Sequence, residues 1–255
     1  MLKQQALIFL LAVVVADAAA YFEEENHDVD WFEDQNIQNE AVMFQDEDPT
    51  KIPEGALDIE GNLFDISRVT TILVVRNGGK WGTWSRDISF CPVDTWAAGY
   101  SMKIEPEQKR FVDDTSLNGI RIICKYKDGV TKEEVTSTVG PWGDWGEPVF
   151  CKERNESTDF LTAFSLQVQS PRGWFKDDTA ANYVKFDCRG LDQCNMHAYV
   201  LNKPPNHGFW GKWGDLSIPC PEKSAICGIK TKVEKKQPFG VDDTALNDAI
   251  FYCCN

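Results

Sequence analysis

A chain of 255 residues is long enough for one or two domains and a sizeable core, and its formal net charge is −14. The charge is not spread evenly. Residues 21–60 hold fourteen acids against the single base Lys51, so this stretch carries −13 and residues 61–255 carry about −1, which removes any electrostatic case for nucleic acid or an anionic membrane as partner of the folded body.

Residues 1–20 read as a signal peptide, with Lys3 near the start, an apolar run from Ala6 to Ala16, and Ala18-Ala19-Ala20 as a small-residue cleavage site that makes Tyr21 the mature start. The run is too short for a membrane span and no later segment approaches spanning length, so the expected product is secreted, extracellular and not inserted in a membrane. Nine cysteines in an exported chain are better read as disulfides than as metal ligands or redox centres, and no C-x-x-C pair argues otherwise. Residues 21–66 are expected to form a disordered acidic lead or a pro-region. Trp31, Phe32 and Phe44 within it leave room for docking on a basic partner.

From residue 67 to 255 the chain writes one pattern three times, in copies of about 67–127, 128–193 and 194–255. Each has a W-G-x-W cluster, a cysteine, an alternating apolar run, then D-D-T-x-x-N and a second cysteine. The first copy has Trp81-Gly82-Thr83-Trp84, Cys91, Asp113, Asp114, Thr115, Asn118 and Cys124. The second has Trp142 to Trp145, Cys151, Asp177, Asp178, Thr179, Asn182 and Cys188, and the third Trp210 to Trp213, Cys220, Asp242, Asp243, Thr244, Asn247 and Cys253. Successive D-D-T elements lie 64 and 65 residues apart, longer than a usual solenoid unit and too few for an open array. A closed body with pseudo-threefold symmetry is expected.

Four strands per copy are legible. The first is β-branched-rich, over residues 69–75, 134–139 and, more weakly, 197–201. The second surrounds the first cysteine, over 88–91, 149–151 and 216–220. The third alternates: Tyr100, Met102 and Ile104 share one face and Ser101, Lys103 and Glu105 the other, with Phe164, Leu166 and Val168, then Ile229, Thr231 and Val233, repeating the apolar side. In the fourth, Ile120, Ile122 and Cys124 share a face, as do Val184, Phe186 and Cys188, and Ala249, Phe251 and Cys253. A period of two with one polar face means half-buried antiparallel strands. Three four-stranded antiparallel sheets, apolar faces inward, make an all-β prism or barrel-like body.

The D-D-T-x-x-N elements fall between third and fourth strands, where Asp, Thr and Asn side chains bond nearby backbone N–H groups and fix a hairpin register. Glycoside chemistry needs two carboxyls across a scissile bond, whereas adjacent acids such as Asp113 and Asp114 diverge. A turn role is therefore preferred to sugar contact or acid–base work. The paired tryptophans stand three apart, so a regular strand would send them to opposite faces, unless a bulge at the intervening glycine brings both inward. Their recurrence favours core packing over sugar stacking. Trp96 and Trp174, outside the repeat and in expected loops, are the candidates for exposed aromatic contacts. His27, His197 and His207 lack ligand spacing, so no metal and no cofactor is expected.

The stretch Gly79-Lys80-Trp81-Gly82-Thr83-Trp84, the three D-D-T-[AS]-x-N turns and the ending Phe251-Tyr252-Cys253-Cys254 resemble the vitelline membrane outer layer protein 1 family, from about Val69 to Asn255. The resemblance implies a β-prism I fold, secretion, and residence in an extracellular coat or fluid of the egg-envelope type. Its expected partners are extracellular glycans or other coat proteins. The family's association with lysozyme-like oligosaccharide transfer supplies an alternative, an enzyme acting on amino-sugar oligomers, although no residue here takes that role by motif. The chain departs from the family in its acidic lead, in an insertion around Leu191 to Pro205, and in Cys194.

Threefold equivalence pairs Cys91 with Cys124, Cys151 with Cys188 and Cys220 with Cys253, leaving Cys227 with Cys254 as a fourth bridge and Cys194 as a free thiol or an intermolecular link. Asn155-Glu156-Ser157 is an N-glycosylation sequon in an expected loop.

Overall fold

In the computed structural model, which describes residues 48–106, 115–154, 157–169, 181–203, 210–236 and 244–255, the alternating runs form three long antiparallel hairpins. The first copy supplies β1 (Val69–Leu73), β2 (Thr83–Trp84), β3 (Ser89–Phe90), β4 (Trp96–Ile104) and β5 (Leu117–Lys125). The second supplies β6 (Thr131–Thr136), β7 (Asp144–Trp145), β8 (Val149–Phe150), β9 (Glu153–Arg154), β10 (Ser157–Thr158), β11 (Phe160–Val168) and β12 (Ala181–Arg189). The third supplies β13 (Tyr199–Leu201), β14 (Lys212–Trp213), β15 (Ala225–Val233) and β16 (Leu246–Cys254).

Three large sheets and a two-stranded ribbon of β9 and β10 result, and no copy owns a large sheet. Sheet I runs β1-β16-β15-β2, with β3 continuing the edge on β15; sheet II runs β6-β5-β4-β7, with β8 on β4; sheet III runs β13-β12-β11-β14. Each therefore combines the long hairpin of one copy with the opening strand and W-G-x-W strand of the next, and sheet I closes the ring by joining the first copy to the third. The cause is local. After β5 the chain reverses in a tight turn, with Tyr126 N donating to Val130 O at 2.9 Å and Gly129 at φ +90°, so β6 pairs with the strand it has just left.

The architecture is the β-prism, and equivalent register pairs fill its axis. Tyr100 faces Ile122, Phe164 faces Phe186 and Ile229 faces Phe251. All are buried in one cluster drawn from the three sheets. Ring centroids lie 4.8 Å apart for Tyr100–Phe186, 4.7 Å for Phe164–Phe251 and 5.2 Å for Phe186–Phe251, each pair contributing about 1 kcal/mol beyond its area burial.

The bridged cysteines are Cys91–Cys124, Cys151–Cys188, Cys220–Cys253 and Cys227–Cys254. Cys91 N donates to Cys227 O on β15, Cys151 N to Ala98 O on β4 and Cys220 N to Thr162 O on β11. Each of these cysteines thus sits on one sheet and is bonded to a strand of the next. Three bridges staple sheet I to II, II to III and III to I, while Cys227–Cys254 ties β15 to β16.

Two expectations need correction. The polar faces of the third strands are not solvent-facing: Ser101, Ser165, Gln167 and Lys230 are buried, because the following copy's W-G-x-W segment lies along them. Lys103 Nζ donates to Gly140 O at 2.8 Å, Gln167 Nε2 to Gly211 O at 3.4 Å and Lys232 Nζ to Gly79 O at 3.3 Å. Nor are residues 52–64 part of a disordered lead. Ile52, Ala56 and Phe64 pack with Phe90, Ile250 and Tyr252 on the outer face of sheet I, and Phe64 stacks on Phe90 with centroids 3.8 Å apart. The apolar side chains of this stretch, hidden among its acids, hold it there. The expected signal peptide and the acidic stretch up to residue 47 lie outside the described residues.

Candidate functional site: the junctions between copies

Where one copy hands over to the next, the ends of the repeated motif interlock. Thr115 Oγ1 donates to Glu105 Oε2 at 2.6 Å, and Asn118 Nδ2 donates to Thr115 Oγ1 at 2.7 Å and to Ser116 O at 3.2 Å. Asn118 Oδ1 then accepts the backbone N–H of Trp142 at 3.2 Å, the first tryptophan of the second copy. The third copy repeats this: Thr244 Oγ1 donates to Glu234 Oε2, Asn247 Nδ2 to Thr244 Oγ1 and Ala245 O, and Trp81 N to Asn247 Oδ1 at 3.2 Å. Ser116 and Ala245 have φ of 54° and 48°, a left-handed turn that these bonds hold in place. Glu105 was read only as part of the polar face of its strand, and Glu234, which directly follows Val233, was not singled out in the sequence.

The W-G-x-W glycines complete the junction. Gly82, Gly143 and Gly211 have φ of 82°, 74° and 85°, and a Cβ on them would strike the backbone at Val233, Ile104 and Val168 respectively. Only glycine allows this approach.

None of the six repeated tryptophans is buried, contrary to the core role expected from their recurrence. Register is the reason. Trp84, Trp145 and Trp213 stand directly opposite Lys232, Lys103 and Gln167, and directly opposed side chains share a face, here the outer one. Trp81 is 55% exposed and Trp213 38%. The Arg121 guanidinium lies 4.1 Å from the Trp145 ring centroid, and Lys185 Nζ lies 4.2 Å from that of Trp213, which also meets Tyr183 edge-on at 5.1 Å. The third junction differs: Trp84 packs against the apolar cluster on the outer face of sheet I, and Asp248 presses against Gly78. Burial pushes the Asp248 carboxyl up to about 6, opposed by its bond from Ala249 N and by Lys232.

The other expected site residues are placed as follows. Asp113, Asp114, Asp177, Asp178, Asp242, Asp243, Trp174 and Asn155 lie outside the described residues. Asn182 is buried at the start of β12. Trp96 is not a loop contact: it opens β4, donates from Nε1 to Cys254 O at 3.0 Å and meets Phe160 at 5.6 Å. Cys194 is unbridged and half-buried, with Sγ 3.2 Å from His197 Nδ1. Among the described residues no group of three or more His, Cys, Asp or Glu side chains is arranged to hold a metal ion, and no helix is long and apolar enough to cross a membrane. What the junctions do offer chemically is a set of rigidly held indole surfaces, two with a cation alongside.

Residues 71–255 match the family model described as vitelline membrane outer layer protein I. The chain belongs to this family. The human vitelline membrane outer layer protein 1 homolog is 39% identical over 186 residues, covering 72% of this chain and 83% of that one. The Mus musculus homolog is 40% identical over 189 residues, covering 73% and 85%. Among solved structures, a mannose-specific jacalin-related lectin from Morus Nigra in complex with mannose aligns with a TM-score of 0.43 at 13% identity, over 75% of this chain and 99% of that one. An artocarpin–mannopentose complex also gives 0.43 at 13% identity, over 73% and 99%. Residues 48–70, including the outer-face segment, precede the family match.

Proposed function

We propose that this protein is a secreted, carbohydrate-interacting structural component of an extracellular coat or fluid, with glycans and other coat proteins as partners. The observation that carries this reading is the outward placement of the repeated tryptophans. The fold has an aromatic core of its own, yet all six repeat indoles stay out of it, and Trp81 and Trp213 are exposed. A fixed, exposed aromatic face is suited to stacking on the apolar face of a pyranose ring, and the neighbouring Arg121 and Lys185 can donate hydrogen bonds to ring hydroxyls. The recognition surfaces in this reading are the outward indoles, of which Trp81 and Trp213 are the most exposed. The name of the relatives refers to the outer layer of a vitelline membrane, and four disulfides suit a protein that persists outside cells. Incubation of the pure protein with chito-oligosaccharides, following binding and product length together, tests the proposal. Binding with unchanged lengths, weakened by Trp81→Ala combined with Trp213→Ala, is expected. Altered lengths would replace it with oligosaccharide transfer, and neither effect would remove the glycan reading.

A further inference from the structure

The segment that precedes the family match carries a surface of its own. Leu57 and Leu63 face each other in an antiparallel bridge, closed by Asp58 N to Asn62 O at 2.8 Å and Gly61 N to Asp58 O at 3.0 Å, with Gly61 at φ 84°. The buried Asp58 carboxylate fixes the turn by accepting from Glu60 N at 3.0 Å, Asn62 N at 2.8 Å and Asn62 Nδ2 at 3.2 Å. Beneath it, Phe64 on Phe90 and Ile59 N to Phe90 O at 3.0 Å anchor the hairpin to sheet I. The inward side of the hairpin is thus satisfied, while its outward side is aliphatic: Leu57 is 52% exposed, Ile59 45% and Leu63 71%.

We propose that this hairpin face is a docking surface for a cationic protein segment with apolar side chains. Three aliphatic side chains held outward on a rigid turn form a patch that an interacting partner would cover. Its charge selects the partner. Of the acids in residues 54–65, Asp58 is buried in the turn, while Glu54, Glu60 and Asp65 are exposed and the stretch contains no base, so the rim around the aliphatics is acidic. Lys132 Nζ already sits 2.6 Å from Glu60 Oε1, a contact within the chain of the kind a basic partner would repeat. A second copy of the chain does not fit, because a self-paired interface would set the same acids against each other.

The test uses the full chain with two labelled probes of equal length and charge spacing, a peptide alternating Lys and Leu and one alternating Lys and Ser, followed by fluorescence anisotropy at low salt. The Lys–Leu peptide is expected to bind about tenfold more tightly, the change that burial of a single leucine side chain implies. Leu57→Ser combined with Leu63→Ser should erase that preference while leaving the acids in place. Hydrogen exchange of the unaltered protein should show slowing by the Lys–Leu peptide over residues 56–64. Equal binding of both peptides, protection elsewhere only, or a concentration-dependent dimer abolished by the serine pair would each overturn the proposal.

Discussion

Asn118 shows how much of this architecture rests on single side chains. Buried and bonded to its own turn and to Trp142 N, it fixes a hairpin end and positions the next copy together. Asn118→Ala leaves the Trp142 N–H without this acceptor and should lower unfolding stability by about 2 kcal/mol in urea titration. A loss confined to a few tenths would show that the junction does not depend on it. Asp248 makes a prediction of opposite sign. Its folded-state pKa of about 6 lies above the ordinary 3.8, so the folded state holds the proton more tightly and the group's contribution to stability falls as pH rises from about 4 to 6. Asp248→Asn should therefore raise stability by about 1–2 kcal/mol at pH 7 and have little effect at pH 4, as thermal melts at the two values would show. Such roles were only partly legible. The Thr and Asn of D-D-T-x-x-N announce turn chemistry by type, but nothing in the sequence says that Asn118 reaches the next copy. Arg189, buried and donating to the carbonyls of Gln193, Pro221 and Ser224 among others, gave no signal because it sits at the end of a strand like any surface base.

At the level of elements, periodicity located the long strands because their inward faces are apolar at every second position. It could not assign strands to sheets, since pairing across copies depends on how β5 turns into β6. The recurrence of the tryptophans, rather than their spacing, favoured an inward placement, because it weighs hydrophobicity without register; the polar residues opposite them, Lys103, Gln167 and Lys232, were the available clue. The residues 48–66 were obscured in another way, their few anchoring side chains being outnumbered by acids. Phe64→Ala removes the stack on Phe90 and should open this stretch to protease while leaving residues 71–255 resistant, a difference readable by mass spectrometry of the digest. Cleavage unchanged from the unaltered protein would contradict the anchoring role.

For the whole molecule, the repeat is a device for closing a ring. Each copy completes the sheet of the one before it, the first copy completes the sheet of the last, and a bridge of 33 or 37 residues' separation crosses each boundary between sheets. Closure stabilises the chain by restricting its unfolded state, by about 2–4 kcal/mol for each bridge, and leaves the outward tryptophans and the outer-face hairpin as the surfaces open to partners. Disulfide mapping of the unreduced protein by peptide mass spectrometry tests this arrangement most directly. The expected map joins Cys91 with Cys124, Cys151 with Cys188, Cys220 with Cys253 and Cys227 with Cys254, with Cys194 alkylated without prior reduction. A bridge joining any of the first six in another combination would contradict it.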